Sequence, residues 1–188
     1  RFPTRARTDL GALTIEKDGH ESRYIYQIPD GCENIGRYAF SNTELIDAAS
    51  RSESTIDNFE VRFSPEIVTI GGYAFCEAYV TAVEMNEGLE SIGENAFERC
   101  RLQTDVLILP STVTSLGDSA FAYVYRSVEE AESSKLVYGF RHIELPEGLK
   151  SIGKEAFASS DDSHYTCDPL VIGRRLTDIA EGTFNGFY

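Results

Sequence analysis

One hexapeptide recurs through most of the chain, and any fold proposed for it must place the copies equivalently. Ile35-Gly-Arg-Tyr-Ala-Phe40 returns as Ile70-Gly-Gly-Tyr-Ala-Phe75, Ile92-Gly-Glu-Asn-Ala-Phe97, Leu116-Gly-Asp-Ser-Ala-Phe121 and Ile152-Gly-Lys-Glu-Ala-Phe157. A degenerate sixth copy is Ile179-Ala-Glu-Gly-Thr-Phe184. The leading aliphatics are separated by 35, 22, 24, 36 and 27 residues, which sets a basic period of 22 to 24 with extra residues in the longer intervals. A period of that length is the mark of a solenoid, in which each coil is too small to bury its own apolar face and is stabilised by its neighbours.

The positions around the hexapeptide keep phase as well. Seven residues upstream of each leading aliphatic stand Ile28, Phe63, Met85, Leu109, Leu145 and Ile172. Two residues before these come Tyr26, Val61, Val83, Leu107, Ile143 and Leu170, an alternation that predicts a strand with one buried face. A further apolar slot holds Cys32, Ile67, Leu89, Val113, Leu149 and Leu176. Pro29, Pro110 and Pro146 end the strand by removing a donor. The Gly after each leading aliphatic suits a left-handed or crowded backbone position. The Ala-Phe pair packs inward, so the six phenylalanines are expected to form one continuous spine.

These residues resemble the BspA-like leucine-rich repeats of cell-surface proteins. Leu145-Pro-Glu-Gly-Leu-Lys-Ser-Ile-Gly-Lys-Glu-Ala-Phe157 follows that family's pattern throughout. The resemblance covers about residues 23–188, with departures: Asn86 stands where Pro is usual, Pro65 is displaced, and Gly173 and Ala180 replace Pro and Gly in the last copy. The Asn ladder of ordinary leucine-rich repeats is missing. The resemblance implies a leucine-rich-repeat solenoid of about six short coils, with a parallel β-sheet on the concave face and short irregular or extended segments on the convex face. It also implies an extracellular or cell-surface location, bacterial origin and a role in adhesion or protein binding.

Residues 1–22 precede the array and read as an N-terminal hairpin-like cap around an Asp18-Gly19 turn, set over the first coil. The repeat array then occupies residues 23–188, with insertions near 44–58 and 124–138. Glu129-Glu130-Ala-Glu132 reads as a solvated insertion that a helical turn would suit. Beyond the last spine Phe the chain shows no comparable cover, and continuation of the natural protein is the expectation.

Charge narrows the function. With 17 Lys+Arg against 31 Asp+Glu, the chain carries −14 at pH 7. Nucleic-acid binding depends on cations displacing condensed counterions, so it is not expected. Docking on anionic membrane through a basic face is equally disfavoured, and no apolar run approaches the roughly 20 residues of a bilayer span. The four cysteines occupy apolar slots and read as small buried hydrophobes, with Cys76 and Cys100 the least implausible disulfide pair. His164 and Cys167 are too few to close a zinc shell, and Asp161-Asp162 lacks the ligand spacing of a calcium loop. No cofactor or metal is called for. His20, His142 and His164 sit in no nucleophile or metalloprotease motif, so no catalytic residue is named.

Binding is therefore read from the outward positions of the sheet. These are Gln27, Arg62, Glu84, Ile108, Glu144 and Val171 in one row, and Ile25, Glu60, Ala82, Val106, His142 and Pro169 in the row before it. Their mixture of aliphatics and charges of both signs has the texture of a protein-contact surface. The candidate set is Arg62, Glu84, Val106, Ile108, His142 and Glu144, facing a protein partner such as a host or extracellular-matrix protein. Charge reversal at Arg62 or Glu84 is expected to weaken partner binding without altering the melt. The alternatives are a structural spacer in a larger surface protein and a carbohydrate-active solenoid enzyme.

Overall fold

The structure, a computed structural model, describes residues 12–18, 21–41, 59–130, 133–159 and 170–187. Side chains of 12–18, 21–23, 127–130 and 133–135 are not described. Every regular element among the described residues is a strand. The array strands are parallel and stack coil on coil, which makes the fold a leucine-rich-repeat solenoid.

Each coil contributes one strand to each of two walls. The first wall is built from β2 (Glu21–Gln27), β4 (Phe59–Arg62), β6 (Ala82–Glu84), β8 (Val106–Ile108), β12 (His142–Glu144) and β14 (Leu170–Val171). The second is built from the two-residue strands β3 (Asn34–Ile35), β5 (Thr69–Ile70), β7 (Ser91–Ile92), β9 (Ser115–Leu116), β13 (Ser151–Ile152) and β15 (Asp178–Ile179). The second wall is one six-stranded parallel sheet in the order β15-β13-β9-β7-β5-β3. Ile35, Ile70, Ile92, Leu116, Ile152 and Ile179 fall opposite one another across it.

The first wall departs from the single sheet expected. Joined by β1 (Ala12–Asp18), its strands form a four-stranded sheet β1-β2-β4-β6 and a separate three-stranded sheet β14-β12-β8. A local cause lies at the start of β8, where the Thr104 hydroxyl accepts the Val106 N–H at 3.1 Å and donates to its carbonyl at 2.9 Å. A Thr that folds back on the backbone in this way competes with the ladder. On the other side of the gap, Asn86 replaces the strand-ending Pro, and its Nδ2 donates to the Pro65 and Ile67 carbonyls at 2.9 and 3.1 Å. That side chain ties its turn to the preceding coil.

Between the walls runs the phenylalanine spine. Phe40, Phe75, Phe97, Phe121, Phe157 and Phe184 stack in sequence with centroids 4.8, 4.9, 5.0, 5.6 and 5.6 Å apart and planes within 3° of parallel. Centroid spacings this long with parallel planes mean offset stacking, the arrangement the ring quadrupoles favour. Ala74, Ala96, Ala120 and Ala156 are fully buried beside it. Their small size lets the large ring reach the axis of the stack.

The repeated Gly is there for crowding and not for handedness. A Cβ on Gly71, Gly93, Gly117 or Gly153 would lie within 3 Å of the preceding coil's backbone, and none of the four has a positive φ. The left-handed residue comes two positions later: Tyr38, Tyr73, Asn95, Ser119 and Glu155 have φ between 53° and 60° for all but Ser119, at 52°. A turn with positive φ at its third residue closes each corner, with the Ala N–H donating to the Gly carbonyl in the first two coils at 3.2 and 3.3 Å. The strain of a left-handed non-Gly residue is offset by bonds between coils. Tyr73 N–H donates to Glu94 O at 2.8 Å, Asn95 N–H to Asp118 O at 2.8 Å and Ser119 N–H to Lys154 O at 2.7 Å.

Some of the acidic surplus also serves the stacking. Carboxylates accept backbone N–H groups of the next coil: Glu87 from Ser111, Asp118 from Lys154 at 2.8 Å and Glu147 from Arg174 at 3.1 Å.

The insertion at 124–138 is a β-hairpin. Its arms, β10 (Tyr125–Glu130) and β11 (Ser133–Tyr138), pair antiparallel, with Glu129 opposite Ser134 and Glu130 opposite Ser133. The expected helical turn is therefore overturned for Glu129 and Glu130. Tyr125, Val137 and Tyr138 supply aromatic and β-branched side chains on both arms, which favours strands. At the other end of the array, β1 (Ala12–Asp18) pairs antiparallel with β2 and extends the first wall by one strand. The other insertion, near 44–58, lies outside the described residues apart from its flanks.

Candidate functional site

The six residues singled out above fall into two groups because the first wall is divided. Arg62 and Glu84 are register partners on β4 and β6. Val106 and Ile108 on β8 lie opposite His142 and Glu144 on β12. The structure continues that second group to Val171, which lies opposite Glu144 on β14 and is exposed. The result is a row Ile108–Glu144–Val171 beside a row Val106–His142.

The two groups differ in electrostatics. The Arg62 guanidinium donates through Nε to Glu60 Oε1 at 2.6 Å and lies 3.6 Å from Glu84 Oε2. Glu60 points away from the core yet is buried, and Ile25, its register partner on β2, is buried too and stands apart from the main core cluster. The outward face is thus occluded at β2 and β4. It opens from Ala82 onward. Arg62 pairs with a buried carboxylate, so reversing its charge would set like charges against each other and reach the melt as well as any partner. Of the two residues, Glu84 is the clean probe.

The β8–β12 group is the open part. Val106 is 41% exposed and Ile108 61%, while Leu107 between them is buried. His142 Nε2 and Glu144 Oε1 share a hydrogen bond at 2.7 Å along the same strand. Arg141 and Asp105, at the start of these strands, approach to 3.7 Å. Two exposed aliphatics therefore sit against a hydrogen-bonded polar pair, with Val171 on the far side.

The sequence reading left out a second cluster, off both walls, in which Tyr79, Arg101 and Tyr125 face one another across successive coils. Each stands four residues after its spine Phe, and that common offset was the signal available.

The thiols behave as apolar side chains. Cys32, Cys76 and Cys100 are free. Cys100 is wholly buried in the core, and burial pushes its thiol far above the ordinary range. Burial, with Glu98 and Glu77 adding, pushes Cys76 up to about 11. Such thiols are protonated and poorly nucleophilic at neutral pH. Among the described residues no group of three or more His, Cys, Asp or Glu is placed to hold a metal ion. His20, Asp161, Asp162, His164 and Cys167 lie outside the described residues. Among the described residues no helix is long and apolar enough to cross a membrane.

With this geometry in view, the family can be stated. The model of the BspA type leucine rich repeat region matches residues 21–64 and 53–186, in six copies. The chain belongs to the BspA type leucine rich repeat family. A similar solved structure is that of a leucine-rich repeat protein from Bacteroides ovatus, 20% identical with a TM-score of 0.62, covering 95% of this chain and 44% of that one. At that identity the likeness concerns the fold. The pneumococcal vaccine antigen PcpA is more distant, at 14% identity and a TM-score of 0.42, covering 79% of this chain and 45% of that one. The chain spans less than half the length of either. No curated protein matches it in sequence. For a BspA type array, the row Ile108–Glu144–Val171 belongs to the longer-stranded wall, the wall on which the sequence reading placed partner contacts.

Proposed function

We propose that this BspA type array is a non-catalytic protein-binding module of a bacterial surface protein, engaging its partner through the open part of the first wall. The observation that carries this reading is the exposure of Val106 and Ile108 in one strand, in register with His142 and Glu144. Outward aliphatics that no coil covers are costly in water, and a partner that covers them gains their burial, about 25 cal/mol per Å². The polar pair beside them supplies orientation, since rim charges favour specificity over raw affinity. The contact residues are Glu84, Val106, Ile108, His142 and Glu144, with Val171 added. Arg62 shapes the edge.

The test is a panel of immobilised extracellular-matrix and host proteins, read by surface plasmon resonance with the wild-type chain and with Ile108→Asp. A ligand whose affinity falls about tenfold or more in Ile108→Asp, with an unchanged melt, supports the assignment. A ligand that binds both chains equally moves the site elsewhere. A panel with no ligand at all favours the rigid-spacer reading.

A further inference from the structure

Along the open part of the first wall the outward row reads Glu84, Ile108, Glu144, Val171, one residue per coil. Carboxylates alternate with aliphatics. The Glu84 and Glu144 side chains are 72% and 47% exposed, and Ile108 and Val171 are exposed as well. Although β6 and β8 do not pair, the coils stay adjacent at that step, because β7 and β9 on the opposite wall do.

The two carboxylates keep acceptor capacity. Glu144 is bonded to His142 through Oε1 at 2.7 Å, and Glu84 Oε2 stands 3.6 Å from an Arg62 Nε that already donates to Glu60 at 2.6 Å. An ionised carboxylate has about four lone-pair sites, so one partner leaves room for the donors of a cation. The local charge has the right sign. On β4, β6, β8 and β12 and the residues leading into the last two, Glu60, Glu84, Asp105 and Glu144 stand against Arg62 and Arg141. Arg62 is held by Glu60, and Arg141 lies 3.7 Å from Asp105. A partner that only neutralised this row would leave its aliphatics wet, and one that only covered it with apolar groups would bury carboxylates without donors. Satisfying both takes cations and apolar side chains in alternation.

Spacing then selects the shape of the partner. β8 and β12 hold three residues and β14 two, so an element laid along them runs off the wall after about 10 Å. Laid across the coils, it meets one outward residue about every 4.8 Å. A helix presents one side chain per turn, about every 5.4 Å, and drifts from the row by about 2 Å over three intervals. An extended chain repeats a face about every 6.7 Å and drifts by nearly 6 Å, more than a whole coil. Side chains as long as Lys and Leu absorb the first error and not the second. Taking this wall as the binding face, as argued above, we propose that the row Glu84–Ile108–Glu144–Val171 receives a basic amphipathic helix of a partner protein, lying across the coils. Lys or Arg meets the two carboxylates and Leu-like side chains meet the two aliphatics, at alternate turns. The net charge of −14 steers a basic segment towards the chain, and the aliphatic pair fixes where it docks.

The probe is a fluorescein-labelled, end-capped peptide with Lys, Leu, Lys, Leu and Lys one helical turn apart on an Ala and Gln background, an order that reads the same from either end. Fluorescence anisotropy with the full chain should show saturable, sub-millimolar binding. Glu84→Gln and Glu144→Gln should each weaken it about threefold, as expected for exposed ion pairs. Glu181→Gln, at an exposed carboxylate on the corner after β15, should leave it unchanged. A peptide of the same composition with its three Lys on adjacent turns should bind about fivefold more weakly, because a Leu then loses its aliphatic partner. A central Pro, which breaks the helix, should weaken binding at least as much. Equal binding of the reordered peptide would mean attraction by charge alone, and equal binding of the proline peptide would mean an extended occupant; either overturns the proposal. So does undiminished binding by both Gln variants, or no binding at all. Should the peptide fail while a matrix or host ligand still loses affinity in Ile108→Asp, the binding face stands and its helical occupant falls; should both fail, the face itself is wrong.

Discussion

Alanine at two glycines of the same motif slot should move stability in opposite directions. A Cβ on Gly93 would stand 2.6 Å from Gly72 N, 2.9 Å from Gly71 C and 3.0 Å from Gly72 Cα, all backbone of the preceding coil. Ordinary contact needs about 3.4 Å or more, so the two coils must separate by roughly an ångström at that corner. The corner is held by Gly93 N–H donating to Ile70 O and Tyr73 N–H donating to Glu94 O, both at 2.8 Å. An ångström of separation takes both beyond hydrogen-bond range, at about 1 kcal/mol each. Overpacking adds about 1–3 kcal/mol, which puts Gly93→Ala at roughly 3–5 kcal/mol destabilising.

Gly36 occupies the same slot in the first coil, where a Cβ would meet nothing within 4 Å. Its φ is not positive, so alanine fits the native backbone there. The substitution then acts on the unfolded chain alone and stabilises by about 0.4–1 kcal/mol. For a chain of this size each kcal/mol is worth about 2–4 °C in Tm. Melts followed by circular dichroism should show Gly93→Ala about 6–20 °C below wild type and Gly36→Ala about 1–4 °C above it. Urea midpoints with unchanged slope would confirm that stability, and not cooperativity, has changed. A Gly93→Ala melt within a degree of wild type, or a shift of the same sign in both variants, would refute close approach of the coils as the reason for the repeated glycine.

Truncating a central spine ring, Phe97→Ala, should cost about 3–5 kcal/mol in a urea titration, because that ring is wholly buried and stacked on both faces. Cys100 should resist alkylation in the native state at every pH at which the chain stays folded. Cys76, raised from 9.0 to about 11, should react slowly at pH 8, with about a hundredfold less thiolate than an unshifted thiol and a rate still climbing above pH 9; mass spectrometry of timed iodoacetamide reactions reads both. Ile108→Asp should leave the melt within about 0.5 kcal/mol of wild type, since its side chain is exposed, and a larger change would mean that the residue supports the wall.

The repeated slots were legible because each is a volume or backbone requirement imposed six times. Phe, Ala and the leading aliphatic show this most clearly, and the spine and the six-stranded second wall follow from them. Phase alone could not reveal the division of the first wall. That break depends on Thr104 folding back on Val106 and on Asn86 binding the coil before it, which are single substitutions in a pattern that otherwise continues. The hairpin at 124–138 was equally hidden, since an insertion has no counterpart in other coils to compare. The candidate site was half legible: the outward rows were right in register, but Arg62 proved to brace a buried Glu60. An outward position in a strand does not report whether another part of the chain lies over it.

The architecture separates stability from recognition by position within the coil. Slots that face the axis are filled by residues of one kind, apolar in nearly every coil and Phe in all six at the spine, because stacking is satisfied only when neighbours match: Ala74, Ala96, Ala120 and Ala156 are fully buried, and the inner rings of the spine nearly so. The end coil shows the dependence directly, for Ile179 is 51% exposed where Ile152, one coil inward, is 3% exposed. Slots that face outward carry no such constraint, and they are where the coils differ: Glu84, Ile108, Glu144 and Val171 follow one another along the wall, and Tyr79, Arg101 and Tyr125 along the other patch. A substitution at an outward slot can therefore change what the surface binds without disturbing the stack, provided it is not a brace such as Arg62. That independence is why Ile108→Asp can be expected to alter binding at the wall in a chain whose melt stays where it was.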